Sequence, residues 1–177
     1  MNDFFNNRYR FNIYNNAGID ITEEFYARNY EFYMIKDTES ILKDYLENVN
    51  CMVEDIEEVQ PLLNTNVTKR SSLCYTVLKI KGVATSAEFA FYVSGRASFN
   101  EGTGKYTSMS PPSISIYHVP GFDKYDYTVT GDYGFKNNKR TVYYKNIVVT
   151  LWAIVSGGNT STRVYYDPIR PGITLEF

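Results

Sequence analysis

At 177 residues, with 44% apolar and 21% charged side chains, the chain has the make-up of one globular domain with room for an added element, which excludes disordered, collagen-like, coiled-coil-only and disulfide-scaffold classes. The net charge of −2 hides a split, because residues 1–62 hold 13 acids against 5 bases while residues 63–177 hold 13 bases against 7 acids. The compositional anomaly is aromatic: 17 Tyr, 11 Phe and one Trp favour strands and interaction surfaces.

The opening residues, Met1 to Arg10, contain no charged stretch followed by an apolar segment, so no secretory signal is present and a cytoplasmic location is expected. A chain trimmed behind such a signal would instead be secreted or held at the cell surface. Arg8 to Tyr14 alternates, with Tyr9, Phe11 and Ile13 on one side, and reads as a half-buried strand. Asn15 to Gly18 is turn chemistry. Asp20 and Glu23 then have the spacing of a helix start, with Asp20 as cap and Glu23 reaching back to its amide. Phe25 to Ile35 fits helix or strand.

The strongest periodic signal follows. Leu42, Tyr45, Val49, Met52, Ile56, Val59 and Leu63 recur at alternating steps of three and four residues, which predicts an amphipathic helix capped by Asp37 or Thr38 and stopped by Pro61, whole or broken near Asn48 to Asn50. Its opposite side would carry an acidic face of Asp44, Glu47, Glu54, Asp55 and Glu58, with Lys43 the only base nearby, and such a face calls for a basic neighbour.

Residues 64–72 read as a polar linker between an acidic, mainly helical part (1–63) and a β part (73–177). Beyond it the hydrophobic period becomes two. Strands are predicted at Leu73–Lys81, Ala87–Val93, Ser113–Val119, Tyr125–Thr130, Arg140–Val155, Arg163–Tyr166 and Ile173–Phe177, parted by Gly, Pro and Asn clusters. The nine-residue apolar run Ile147–Val155 is about half of the ~20 residues a membrane-spanning helix needs, and it reads as a central strand buried on both faces. The predicted class is therefore α+β: an N-terminal strand and a long amphipathic acidic helix, followed by an antiparallel β-sandwich of about seven strands.

Few residues point to chemistry. Gly102, Gly104 and Lys105 resemble the end of a phosphate-binding loop, but Phe99 stands where that loop needs its first glycine and Tyr106 where it needs Ser or Thr, so a hairpin turn is expected. His118 is the sole histidine and has no nucleophile motif beside it. Asp123, Asp126 and Asp132 match no calcium loop, and no spacing fixes a carboxylate pair among Glu88, Glu101, Asp123 and Asp126. Neither metal, cofactor nor catalytic residue is assigned. Cys51 and Cys74 are either two buried thiols or one bridge that closes a short loop. The bases of the β part are scattered singly, so no nucleic-acid partner is expected.

The tyrosines are the better hint. Adjacent pairs such as Tyr143-Tyr144 and Tyr165-Tyr166 must point to opposite faces of a sheet, so some rings face outward, and Tyr117, Tyr125, Tyr127, Tyr143 and Tyr165 are the candidate binding residues. The stretch Val93-Ser-Gly-Arg-Ala-Ser-Phe-Asn-Glu-Gly-Thr-Gly-Lys-Tyr-Thr-Ser-Met-Ser-Pro-Pro-Ser-Ile-Ser-Ile116 resembles a strand–hairpin–strand seen in small β-sandwich proteins of unknown function from Gram-positive bacteria. That resemblance implies a sandwich and an exported location, and it supplies no catalytic residue. The expectation is a non-enzymatic binding protein that engages a protein or glycan through Tyr-bearing strands. The alternative is a small phage or mobile-element inhibitor whose acidic helix imitates nucleic-acid charge.

Overall fold

A computed structural model of the chain describes residues 2–54, 66–119, 121, 124–157 and 160–177. It is mixed α and β, with two antiparallel sheets that do not close into a barrel. The elements run α1 (Asn2–Asn6), a 3-10 turn (Arg8–Arg10), β1 (Phe11–Tyr14), α2 (Thr22–Met34), α3 (Thr38–Asn48) and β2 (Cys51–Glu54). They continue with β3 (Asn66–Ile80), β4 (Val83–Asn100), β5 (Lys105–Met109), β6 (Ser113–His118), β7 (Tyr125–Lys136), β8 (Thr141–Gly157), β9 (Thr160–Tyr165) and β10 (Leu175–Glu176).

The first sheet is ordered β1-β2-β3-β4-β5, with β6 also paired to β4; in the second, β8 pairs with β7, β9 and β10. The two sheets share one apolar core. From the first come Cys51, Val53, Cys74, Phe89, Phe91, Val93 and Ile114, and from the second Val142, Tyr144, Ile147, Val149, Leu151 and Ala153. The two-residue period of each strand sends the intervening side chains to the opposite face. On the first sheet that face is covered in part by the helices, where Phe4, Phe5, Phe25 and Ile41 close over Phe11 and Ile13, and Met52 packs at the margin.

Two close approaches lock the sheets together. The ring of Tyr144 lies where a Cβ on Gly95 would stand 2.4 Å away, so the position accepts only hydrogen. The Tyr144 hydroxyl sits 2.9 Å from the Arg96 carbonyl and 3.1 Å from that of Ser110, which satisfies it inside the core.

The long acidic helix is not found. α3 stops at Asn48, Val49 adopts extended backbone, and Cys51–Glu54 is a strand between β1 and β3. Val49, Cys51, Met52 and Val53 are all apolar, so they satisfy a helical stripe and a pleated alternation equally, and pairing on both edges decides for the strand. As a strand, Cys51 and Val53 enter the inter-sheet core while Met52 meets the helices. The part of the expected helix at 55–63 lies outside the described residues. The linker is also corrected where it is described, because Asn66 onward belongs to β3 and pairs with β4 from Asn66↔Ser98. Among the described residues the β part holds eight strands where about seven were expected, and the N-terminal part holds two where one was expected.

At smaller scale, strand pairing begins at Phe11 rather than Arg8, since Arg8–Arg10 forms the 3-10 turn. Asp20 does not cap α2. Ile21 holds the cap position, and Asp20 instead accepts from the Thr22 amide (2.9 Å) and hydroxyl (2.6 Å), while Thr22 Oγ1 accepts from the Ile13 amide. Asp37 does cap α3, accepting from the Ser40 hydroxyl at 2.7 Å and the Ser40 amide at 3.1 Å, and these two bonds hold its carboxyl below the usual range. Ile147–Val155 is part of the central strand β8, as expected, but it is buried on both faces only at Leu151, Trp152 and Ala153; Val148, Thr150 and Ile154 are half-buried and Val155 is exposed.

Candidate functional site

The helices cover only part of their side of the first sheet. Where α3 ends over the sheet, a crevice of about 410 Å³ opens between the two layers. Its sheet wall follows from strand register. Met52 pairs with Tyr75, Tyr75 with Ala90, Ala90 with His118, and Val77 with Glu88, so these residues face the helices in one row across four strands. Phe25 of α2 and Leu42 and Tyr45 of α3 form the opposite wall. A register shift between Ala90 and Phe91 on β4 brings His118, as well as Tyr117, to the mouth.

The lining combines rings with few polar groups. Tyr117 is 67% exposed and stands edge-to-face with Tyr92, their ring centres 6.3 Å apart. The Tyr75 hydroxyl donates to Glu54 at 3.3 Å; burial first, and then the Glu54 charge and hydrogen bond, push its pKa up to about 12. Burial also raises the Tyr45 hydroxyl, with the neighbouring Cys51 and Glu88 adding to the effect. Thr76 donates its hydroxyl to the Asn50 carbonyl and is already satisfied. Glu88 is exposed at the rim, and among the described residues it has no hydrogen-bond or ion-pair partner.

The five candidate tyrosines do not form one surface. Tyr117 is on the first sheet and borders the crevice. Tyr125 and Tyr127 turn toward the inter-sheet core, because the alternation of β7 sends Asp126 and Thr128 outward instead. Tyr143 is half-buried beneath Lys136 and Lys145, whose ammonium groups lie 5.0 and 5.8 Å from its ring centre. Tyr165 is exposed beside Trp152, at a ring-centre distance of 5.4 Å. Tyr143 and Trp152 are nine positions apart on β8, which at ~3.3 Å per residue separates the two outward rings by about 30 Å.

The acidic face is likewise dispersed. Asp44 of α3 accepts from Asn29 and, at 2.6 Å, from Asn48, and pairs with Arg28 at 3.4 Å. Glu47 is exposed on the same helix. Glu54 is on β2, bonded to Arg10 at 2.6 Å, while Asp55 and Glu58 lie outside the described residues. Asp123 also lies outside them; Asp126 accepts from the Tyr127 amide and Asp132 from Asn146. No cluster of metal-ligating side chains occurs among the described residues. Residues 101–104 form the turn of the β4–β5 hairpin, with Asn100 Oδ1 accepting from the Thr103 amide. Cys51 and Cys74 are buried thiols on neighbouring strands with no disulfide between them, and burial followed by the bond to Cys74 pushes the Cys51 thiol well up. Among the described residues no helix is long and apolar enough to cross a membrane.

Tyr45, Tyr75 and Glu88 were absent from the sequence-derived site. Tyr75 and Tyr92 do belong to period-two runs that predicted strands, and that signal marks their outward face. The helix that roofs them is positioned by tertiary packing, which local pattern does not encode. Set against protein-family models, curated proteins and solved structures, the chain finds no match.

Proposed function

We propose that this chain is a non-enzymatic binding protein that engages a protein or glycan through the open part of the helix-side face of its first sheet, centred on Tyr92 and Tyr117. The observation that carries this reading is the exposure of Tyr117 next to a crevice. A large ring held outward by a strand and an edge-to-face partner loses little side-chain freedom on binding, and so suits recognition. Tyr125 and Tyr127 support the surrounding core instead of touching a partner, and Tyr143 and Tyr165 belong to the other sheet.

The inhibitor reading has less to rest on, since Asp44 is engaged within the helical layer and Glu54 is bonded to Arg10 from a strand. A photo-reactive phenylalanine analogue placed at position 117 tests the choice against the same analogue at 165. Cross-links to a protein or an immobilised glycan from 117 but not from 165 are expected, and the reverse pattern refutes the assignment. Weakening by less than about threefold between low and high salt is expected for ring-led contact, whereas charge mimicry would give a steep loss.

A further inference from the structure

We propose that the crevice beneath α3 is a site for an organic cation, an alkylammonium or guanidinium group, held between the faces of Tyr45, Tyr75 and Tyr117 and the carboxylate of Glu88. This deepens the binding reading above and rests on it, by naming what the open face takes hold of. Three rings reach the crevice from separate elements: Tyr45 from α3, Tyr75 from β3 and Tyr117 from β6. Aromatic faces carry negative electrostatic potential and attract a cation placed against them, most strongly where water is partly excluded. Glu88 supplies a full negative charge at the same mouth and has no base to neutralise it among the described residues.

The rest of the lining argues against other ligands. An anion would meet both the ring faces and Glu88. A sugar needs several convergent donors and acceptors, yet Phe25, Leu42, Met52 and Ala90 make much of the wall apolar and the Thr76 hydroxyl is already donated. A volume of about 410 Å³ admits a quaternary ammonium with its substituent, or the end of a lysine or arginine side chain. The cation therefore comes either from a free amine or from a basic side chain on a protein partner; the chemistry is shared.

The test is a titration of the full chain, followed by tyrosine ring proton shifts, with choline, N-acetyl-lysine methylamide and the uncharged isostere 3,3-dimethylbutan-1-ol. Both cations are expected to move the rings of Tyr45, Tyr75 and Tyr117, and the isostere to bind about tenfold more weakly. Tighter binding of choline identifies free amines as the source, and tighter binding of the lysine amide a protein side chain. Glu88→Gln, a surface change that leaves every described hydrogen bond intact, is expected to weaken the cations about tenfold and the isostere hardly at all. Equal binding of isostere and cations, no effect of Glu88→Gln, or no ring shift with either cation overturns the proposal. Failure here is separable from failure of the binding reading: if cross-linking through position 117 persists while neither cation binds, the face stands and the cation site falls. Cation binding without any cross-link at 117 upholds the cation site and removes the wider binding face.

Discussion

The two faces of the first sheet are closed in different ways. Toward the second sheet, Phe89, Phe91 and Val93 meet Val149, Leu151 and Tyr144 over the length of long strands, and every one of these side chains is buried. Toward the helices, closure depends on short segments: the five residues of α1, the thirteen of α2 and the eleven of α3. That layer leaves Tyr30, Phe32, Met34, Ile35 and Leu42 exposed, and Tyr117 stands exposed beyond its margin. Sheet-on-sheet packing fills space continuously because both surfaces are pleated and share a period. Short helices laid on a sheet leave margins, and the crevice is one such margin.

Truncation of the two cores gives the most direct way to break this comparison. Phe91→Ala removes a ring with no exposure from between the sheets and is expected to cost about 4 kcal/mol, lowering the midpoint of the whole urea transition. Phe25→Ala, in the helical layer, is expected to cost about 3 kcal/mol, with amides of α2 and α3 exchanging before those of β4 and β8. Equal loss of protection in both layers would show that they form a single cooperative unit and erase the distinction. Gly95→Ala puts a methyl group into the Tyr144 ring and is expected to cost about 2 kcal/mol, whereas the same change at Gly82, where a Cβ meets nothing but the backbone has positive φ, should cost about 1 kcal/mol. Thermal unfolding monitored by circular dichroism compares the two.

On the open margin the expected effects are electrostatic. Tyr75 keeps its proton until about pH 12 in the folded chain, against about 10 for a free tyrosine. Its contribution to stability is therefore whole below pH 10 and is lost as pH rises through the folded value. Glu54→Gln removes the neighbouring charge and should bring phenolate absorbance at Tyr75 to lower pH. Asp37→Ala is the mildest change. It is expected to lower the melting temperature slightly at neutral pH, and the difference from the parent should vanish as pH falls below the depressed pKa of Asp37, where its caps to Ser40 are protonated away.

Sequence pattern revealed the β-rich second part and the opposed facing of Tyr143-Tyr144 and Tyr165-Tyr166, because pleating alone dictates both. Two features escaped it for physical reasons. Residues 49–53 are apolar at every position but one, so helix and strand periods fit them alike, and only the edges offered by β1 and β3 resolve the ambiguity. In β8 the inward residues shift from 142 and 144 to 147, 149, 151 and 153, across a register irregularity where Asn146 takes positive φ opposite Gly131. An inserted residue reverses the phase of the alternation there, while beyond it Ile147–Val155 lacks alternation because the outward side chains Val148, Trp152 and Ile154 are themselves apolar and buried or half-buried. Of the candidate site, Tyr117 was legible as an outward ring, while Tyr45, Tyr75 and Glu88 converge only once α3 is laid over the sheet.

Asn50 bears on how the chain is assembled. Its amide nitrogen donates to Asn16 and to the carbonyl of Pro168, its side-chain oxygen accepts from the amide of Arg170, and its backbone amide donates to Tyr14. Gly172 then lies so close to the Tyr14 ring that no larger residue fits. The corner between β1 and β2 is thus fastened by residues more than a hundred positions downstream. During synthesis on a ribosome, the partners of Asn50 at Tyr14 and Asn16 are made early, whereas those at Pro168 and Arg170 have to wait until residue 170 has emerged.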